Sequence, residues 1–245
     1  MNQLEMMETE NKKTAVDNPP KIDMPRVGAL MSAIRNRRTT ADRFRFNMSE
    51  QDALDLLAAH YMFEVEARHN KIQLDENTVG NLRQMAHYIT MPKPKFGVMM
   101  CGTCGNGKTT LMFALRSAIG FLKDRGHFDK YRNDSCPYFD FELRIVDARD
   151  VIEIYKDRTR YADLRSERLL AIDDLGKEPA EVLDYGNVTN PLVDLLEYRY
   201  LYQKFTVITT NLDSKQIREK YGTRIADRFN EMLEVIVFDD VSYRH

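Results

Sequence analysis

The residues from Gly102 to Thr110 read GTCGNGKTT. Glycines at 102, 105 and 107 let a backbone turn tightly and aim successive N–H groups inward. Lys108 and Thr109 complete the spacing GxxxxGK[ST], which suits the phosphates of a nucleotide. On this reading Gly102, Thr103, Cys104, Gly105, Asn106, Gly107, Lys108, Thr109 and Thr110 form the cradle. Lys108 neutralises the β- and γ-phosphates, the Thr109 hydroxyl coordinates Mg2+, and Thr110 supports the turn. ATP and Mg2+ are the cofactors expected.

A metal held by one hydroxyl and phosphate needs an acid across from it. Leu169–Asp174 reads LLAIDD, an apolar run ending in two acids. Asp173 is the expected metal partner and Asp174 the candidate for orienting the attacking water. Aspartate reaches about one methylene less far than glutamate, and Glu178 is a competitor for that role. The run FTVITTN ends at Asn211, which would position water against the γ-phosphate, with Thr209 and Thr210 assisting; an Asx turn is the alternative. Further on, Arg224 and Arg228 lie four apart on one helical face. Arginine stabilises charge on a transferring phosphate, and it also serves as a surface ion-pair partner.

These groups work only if the chain delivers them to one place. FGVMMCG reads as a buried strand into a glycine turn, and KTTLMFALRSAIGFLK as the helix leaving it. FELRIVDA, ERLLAIDDLG, FTVITTNLD and LEVIVFDD read as further strands. RDVIEIYKD, VTNPLVDLLEYRYLYQ and SKQIREKYGTRIADRFNEM read as helices, the last interrupted by Gly222. Strands alternating with helices predict an α/β fold with a central parallel sheet covered on both faces. Upstream, Val27 to Thr90 has a helical texture, with Ser49 placed as an N-cap and Pro92 and Pro94 closing the segment. The expected organisation is a disordered tail over 1–25, a helical partner- or DNA-binding domain over 26–91, a linker over 92–96 and a nucleotide-binding domain over 97–245.

The chain has 245 residues and a formal net charge of -2. Bulk charge therefore does not advertise nucleic-acid binding, and any such surface must be a local patch. The clearest one runs through Arg35, Arg37, Arg38, Arg43 and Arg45, with Phe44 and Phe46 interleaved as stacking on single-stranded bases needs. The alternative places those phenylalanines in a core. There is no apolar run long enough for a membrane span and no signal-peptide core, so a reducing cytoplasm is expected. Cys101 and Cys104 are formally a CxxC, but no second pair completes a zinc set.

Taken in order, GTCGNGKTT, LLAIDDLGKEP, LLEYRYLYQKFTVITTNL and YGTRIADRFNEM resemble the AAA+ ATPases of the DnaC/IstB type. These are bacterial replicative-helicase loaders and transposition helper ATPases. The resemblance covers residues 95–245 and implies a P-loop NTPase fold of the AAA+ type, preceded by a small helical domain and lacking a C-terminal lid. It implies that Gly102 to Thr109 is the Walker A loop and that Asp173 and Asp174 are the Walker B acids. Asn211 is similar to the residue that reads the γ-phosphate. Arg224 and Arg228 resemble the arginines at a subunit interface, one acting as a finger in trans. Implied with these are ATP hydrolysis, an ATP-dependent homo-oligomer, single-stranded DNA, and a replicative DNA helicase as partner, or a transposase in the alternative. A nucleotide-gated adaptor with little turnover is a further alternative, suggested by the short acid at 174. Residues 1–91 carry no assignable motif.

Overall fold

The computed structural model describes residues 22–37, 43–127, 142–179, 182–184 and 187–238. The expected tail lies mostly outside them. Two compact units divide between Asp42 and Arg43. In the first, helix α1 (Met24–Arg37) is opened by Asp23, whose carboxylate accepts from the Arg26 amide at 3.2 Å. It exposes Met24, Leu30, Met31 and Ile34.

The second unit begins with α2 (Glu50–Glu66) and α3 (Glu76–Thr90). Ser49 caps α2 by accepting from the Asp52 amide at 3.1 Å, and Asp75 caps α3 through the Thr78 amide at 2.8 Å. An α/β domain follows: β1 (Gly97–Gly102), α4 (Lys108–Asp124), β2 (Leu143–Asp147), α5 (Ala148–Tyr155), α6 (Arg158–Ser166), β3 (Leu169–Leu175) and the short pair β4 (Val182–Asp184) and β5 (Asn187–Thr189). It closes with α7 (Pro191–Leu201), β6 (Phe205–Thr210), α8 (Ser214–Tyr221), α9 (Thr223–Met232) and β7 (Leu233–Phe238).

Five strands make one parallel sheet in the order β2-β3-β6-β1-β7. Alternate residues of each strand serve opposite layers. Val98, Met100, Leu169, Ala171 and Val207 join α2, α3 and α4 in one core. Met99, Leu170, Ile172 and Ile208 join the layer of α5 to α9. Both faces are covered, as a sheet of apolar parallel strands requires. A small N-terminal helical subdomain, α2 and α3, thus precedes the sheet and shares a continuous core with β1 and α4. Phe44 and Phe46 belong to that core, Phe44 edge-on to Phe205 at 4.7 Å. They are not available to stack on bases.

Two departures from the sequence reading follow, the first with a local cause. The segment after β2 is two helices, because Asp157 stops one and caps the next by accepting from the amides of Thr159 and Arg160. Val182–Asp184 and Asn187–Thr189 pair antiparallel, which the apolar pattern did not mark. One side chain ties the layers together. Arg199, near the end of α7, is 0% exposed. Its guanidinium donates to the Thr206 hydroxyl at 2.8 Å and to the carbonyls of Glu167 at 2.8 Å and Phe205 at 2.5 Å.

Candidate functional site

In a parallel sheet the carboxyl ends of all strands lie on one edge, where ligands bind. β1 runs directly into the glycine loop, and α4 begins at Lys108. The loop glycines have the backbone that only glycine adopts easily: φ is 143° at Gly102, 89° at Gly105 and 93° at Gly107. A Cβ on Gly102 would lie 2.2 Å from the Phe238 carbonyl oxygen, and one on Gly107 would lie 2.6 Å from the Tyr61 hydroxyl. The loop is therefore wedged between β7 and α2. The amide groups at the start of α4 and the α4 dipole suit an anion there.

Lys108 is only 5% exposed. Its ammonium donates to the carbonyls of Gly102 at 2.7 Å and Thr103 at 2.5 Å and to Asn106 Oδ1 at 3.0 Å. Asn106 in turn donates to the Phe238 carbonyl at 3.2 Å. Burial holds the Lys108 pKa below its ordinary value, partly offset by nearby Cys104 and Asp174. Burial likewise raises the Cys101 thiol, which suits a thiol rather than a thiolate ligand.

Across the loop stands the end of β3. Thr109 Oγ1 donates to Asp173 Oδ1 at 3.1 Å, joining residues 64 positions apart in the chain. The Thr209 hydroxyl donates to the same oxygen and accepts the Asp174 amide at 2.8 Å. Ile172 pairs with Ile208 but Leu175 pairs with Thr210, so two acids oppose one residue of β6. This bulge re-aims consecutive side chains that a regular strand would send to opposite faces. Asp174 takes φ of 58°, a left-handed conformation uncommon for a residue with a Cβ. Its carboxylate is 2.6 Å from Lys177 Nζ. Thr210, buried, donates to the Leu175 carbonyl at 2.7 Å, so Thr209 and Thr210 hold β6 to the acid turn.

A cleft of about 730 Å3 opens here, lined by Cys104 to Thr110, Asp173, Asp174, Lys177 and Asn211. Its far wall is the end of α2 and the loop after it, including Tyr61, Val65, Arg68, His69 and Lys71. Arg68 donates to the Thr110 hydroxyl at 2.9 Å and lies 5.1 Å over the Phe113 ring. Sequence reading missed this wall, because nothing local to residues 61–73 announces that α2 packs along α4. Among the described residues no three His, Cys, Asp or Glu side chains cluster as a metal site. The donor set still fits Mg2+, which takes one or two protein oxygens and completes its shell with phosphate and water. Thr109 and Asp173 are such a pair.

Other candidates lie elsewhere. Glu178 is buried and does not line the cleft. Arg224 and Arg228 line a separate cleft of about 590 Å3 between α6, α7 and α9. Both pair with Glu197, at 3.3 and 2.5 Å, and Arg228 also lies 4.9 Å over the Tyr200 ring. Neither lines the cleft of its own chain's loop. In the arginine patch, Arg35 and Arg37 lie on α1, and Arg38 falls outside the described residues. Arg45 is half-buried, and Arg43 lies 4.8 Å over the Phe96 ring.

No protein-family model matches the chain. No curated protein sequence matches it either. Solved structures do. The DnaC helicase loader is 20% identical with a TM-score of 0.52, over 69% of this chain and 94% of that one. A primosome component from Streptococcus pyogenes serotype M3, so described provisionally, is 16% identical with a TM-score of 0.49, over 70% and 84%. AMPPCP-bound DnaA from Aquifex aeolicus is 17% identical with a TM-score of 0.43, over 69% and 48%. Identities this low speak to the fold alone, and only the first likeness is close enough to use. Strand order, the loop after β1, the acids near the end of β3 and that likeness together give this chain the α/β architecture of the AAA+ P-loop proteins.

Proposed function

We propose that this chain binds ATP with Mg2+ and hydrolyses it to ADP and phosphate, and that it uses the cycle to load a replicative DNA helicase onto single-stranded DNA. The observation that carries the ATPase reading is the meeting of Lys108, Thr109, Asp173 and Asp174 in one cleft. Loop amides and Lys108 hold the phosphates. Thr109 and Asp173 hold Mg2+, which when bound offsets the charge of the phosphate oxygens. Asp174 accepts a proton from the attacking water, and Asn211, exposed on the same cleft, orients that water. Arg224 and Arg228 line a cleft separate from that of their own loop, and on this reading they act on a phosphate held by a neighbouring subunit of a homo-oligomer.

The loader role rests on the sequence resemblance and on fold analogy. α1, with its exposed apolar residues and neighbouring arginines, is the segment of the chain suited to partner and DNA contact. A nucleotide-gated adaptor with little turnover is the second reading, favoured by the ion pair that engages Asp174 with Lys177. Affinity capture with the full chain and ATP tests the partner. A replicative helicase retained by the unmodified chain, and lost with Lys108→Ala, supports the loader reading. A transposase in its place transfers the same ATPase to transposition.

A further inference from the structure

We propose that Glu178 is a positioning residue that couples the cleft acids Asp173 and Asp174 of one subunit to the arginines it presents to the next. The inference rests on the ATPase reading with arginines acting in trans. Glu178 is 3% exposed, and its carboxylate collects three donors. The Gly176 amide reaches Oε2 at 2.9 Å, while the Tyr221 hydroxyl and Lys220 Nζ reach Oε1 at 2.5 and 3.2 Å. Lys220 Nζ also donates to the carbonyls of Gly176 at 2.5 Å and Glu178 at 2.6 Å. The turn after the acids is thereby locked, through its carbonyls and the Glu178 carboxylate, to the last two residues of α8, while the Gly176 amide closes onto Glu178 within the turn.

Both ends of this lock lead to functional groups. On one side the turn is closed by the Lys177 amide donating to the Asp174 carbonyl at 3.1 Å. On the other side α8 passes through a single residue, Gly222 at φ 83°, into α9. The Gly222 amide donates to the Arg218 carbonyl, and the Gly222 carbonyl accepts from the Ala226 amide, so no slack separates the helices. Arg224 lies four residues after Lys220, just inside α9. Apolar packing alone would let α8 slide on the turn, whereas charge-assisted hydrogen bonds fix direction. Glu178 touches neither cleft, so its work is done through Lys220 and Tyr221.

The acids have an anchor of their own in Thr209, and Thr210 holds the next residue, Leu175, both independent of Glu178. Removing the Glu178 charge should therefore release α9 more than it releases Asp173 and Asp174. Mixed full-length populations separate the two effects. A donor carrying Asp174→Asn offers arginines and does not hydrolyse. A receiver carrying Arg224→Ala and Arg228→Ala holds ATP and needs a donor. Placed in the donor, Glu178→Gln is expected to lower the mixed turnover about tenfold; placed in the receiver, about twofold or less. Equal losses, or a larger loss in the receiver, overturn the proposal and return Glu178 to a local structural role. Tyr221→Phe, which removes one donor only, must show the same asymmetry and serves if Glu178→Gln fails to fold. A donor and receiver that both keep Glu178 and give no more turnover together than their sum refute the trans reading itself, before Glu178 is involved.

Discussion

Replacing Gly107 by alanine puts two separate strains on the phosphate loop. Gly107 sits at φ 93° and ψ 1°, where a Cβ costs about 1–2 kcal/mol. The new methyl also meets the Tyr61 hydroxyl at 2.6 Å, and shifting a side chain in a packed core costs about 1–3 kcal/mol. Part of this is shed if the loop relaxes away from its cradle. Nucleotide binding needs the cradle, so the strain then appears as lost affinity. A loss of about 2–3 kcal/mol corresponds to roughly 30- to 150-fold in Kd. Titration with a fluorescent ATP analogue measures it, alongside urea unfolding to follow stability. Adding Tyr61→Phe removes the oxygen that meets the methyl and leaves the nearest ring carbon at 3.7 Å, an ordinary contact. That double variant should recover about 5- to 10-fold, with the remainder due to backbone geometry. Gly107→Ala binding within about twofold of the unmodified chain, at undiminished stability, refutes the argument from the cradle. No recovery with Tyr61→Phe refutes the claim that α2 braces the loop.

Other perturbations have similarly definite outcomes. Arg199→Ala strands two buried acceptors and one part-buried one, each worth about 1–3 kcal/mol, so urea unfolding should show a loss near 4 kcal/mol; a change under about 1 kcal/mol means the guanidinium is not the clamp described. Lys108 binds phosphate as the cation, and burial sets its free-state pKa below 10.5. Nucleotide affinity should therefore fall as pH rises through that lowered value, by up to about tenfold per pH unit, and affinity constant up to pH 10.5 contradicts it. Lys177→Ala frees the Asp174 carboxylate from a half-exposed ion pair, so turnover should rise by up to about fivefold; a fall would make Lys177 a working cation on the phosphates.

What could be read in advance was whatever sits in short stretches of chain. GTCGNGKTT, the acids at 173 and 174 and the sheet strands are each local patterns, and the parallel sheet puts the ends of β1, β3 and β6 on one edge. What escaped depends on distant segments meeting. Arg68 and Tyr61 reach the cleft because α2 packs on α4 in a shared core. The Asp174 backbone at φ 58° depends on the β3–β6 register, which no single segment encodes. Phe44 and Phe46 look like stacking residues among arginines, and their burial follows from alternation in an extended segment that lies on the sheet helices. The Gly222 break between α8 and α9 was visible because a glycine interrupts an amphipathic pattern; the lock from Glu178 to Tyr221 was not, since hydrogen bonds over 43 positions leave no periodicity.

The central claim is that one cleft holds ATP through Lys108 and turns it over through Asp174. Phosphate release and nucleotide Kd, measured on the same three full-length proteins with single-stranded DNA and the captured partner, test it most directly. The unmodified chain should hydrolyse ATP, Lys108→Ala should lose binding, and Asp174→Asn should keep its Kd within a few fold while turnover falls about 100-fold. No hydrolysis by the unmodified chain, or undiminished turnover in Asp174→Asn, contradicts the account.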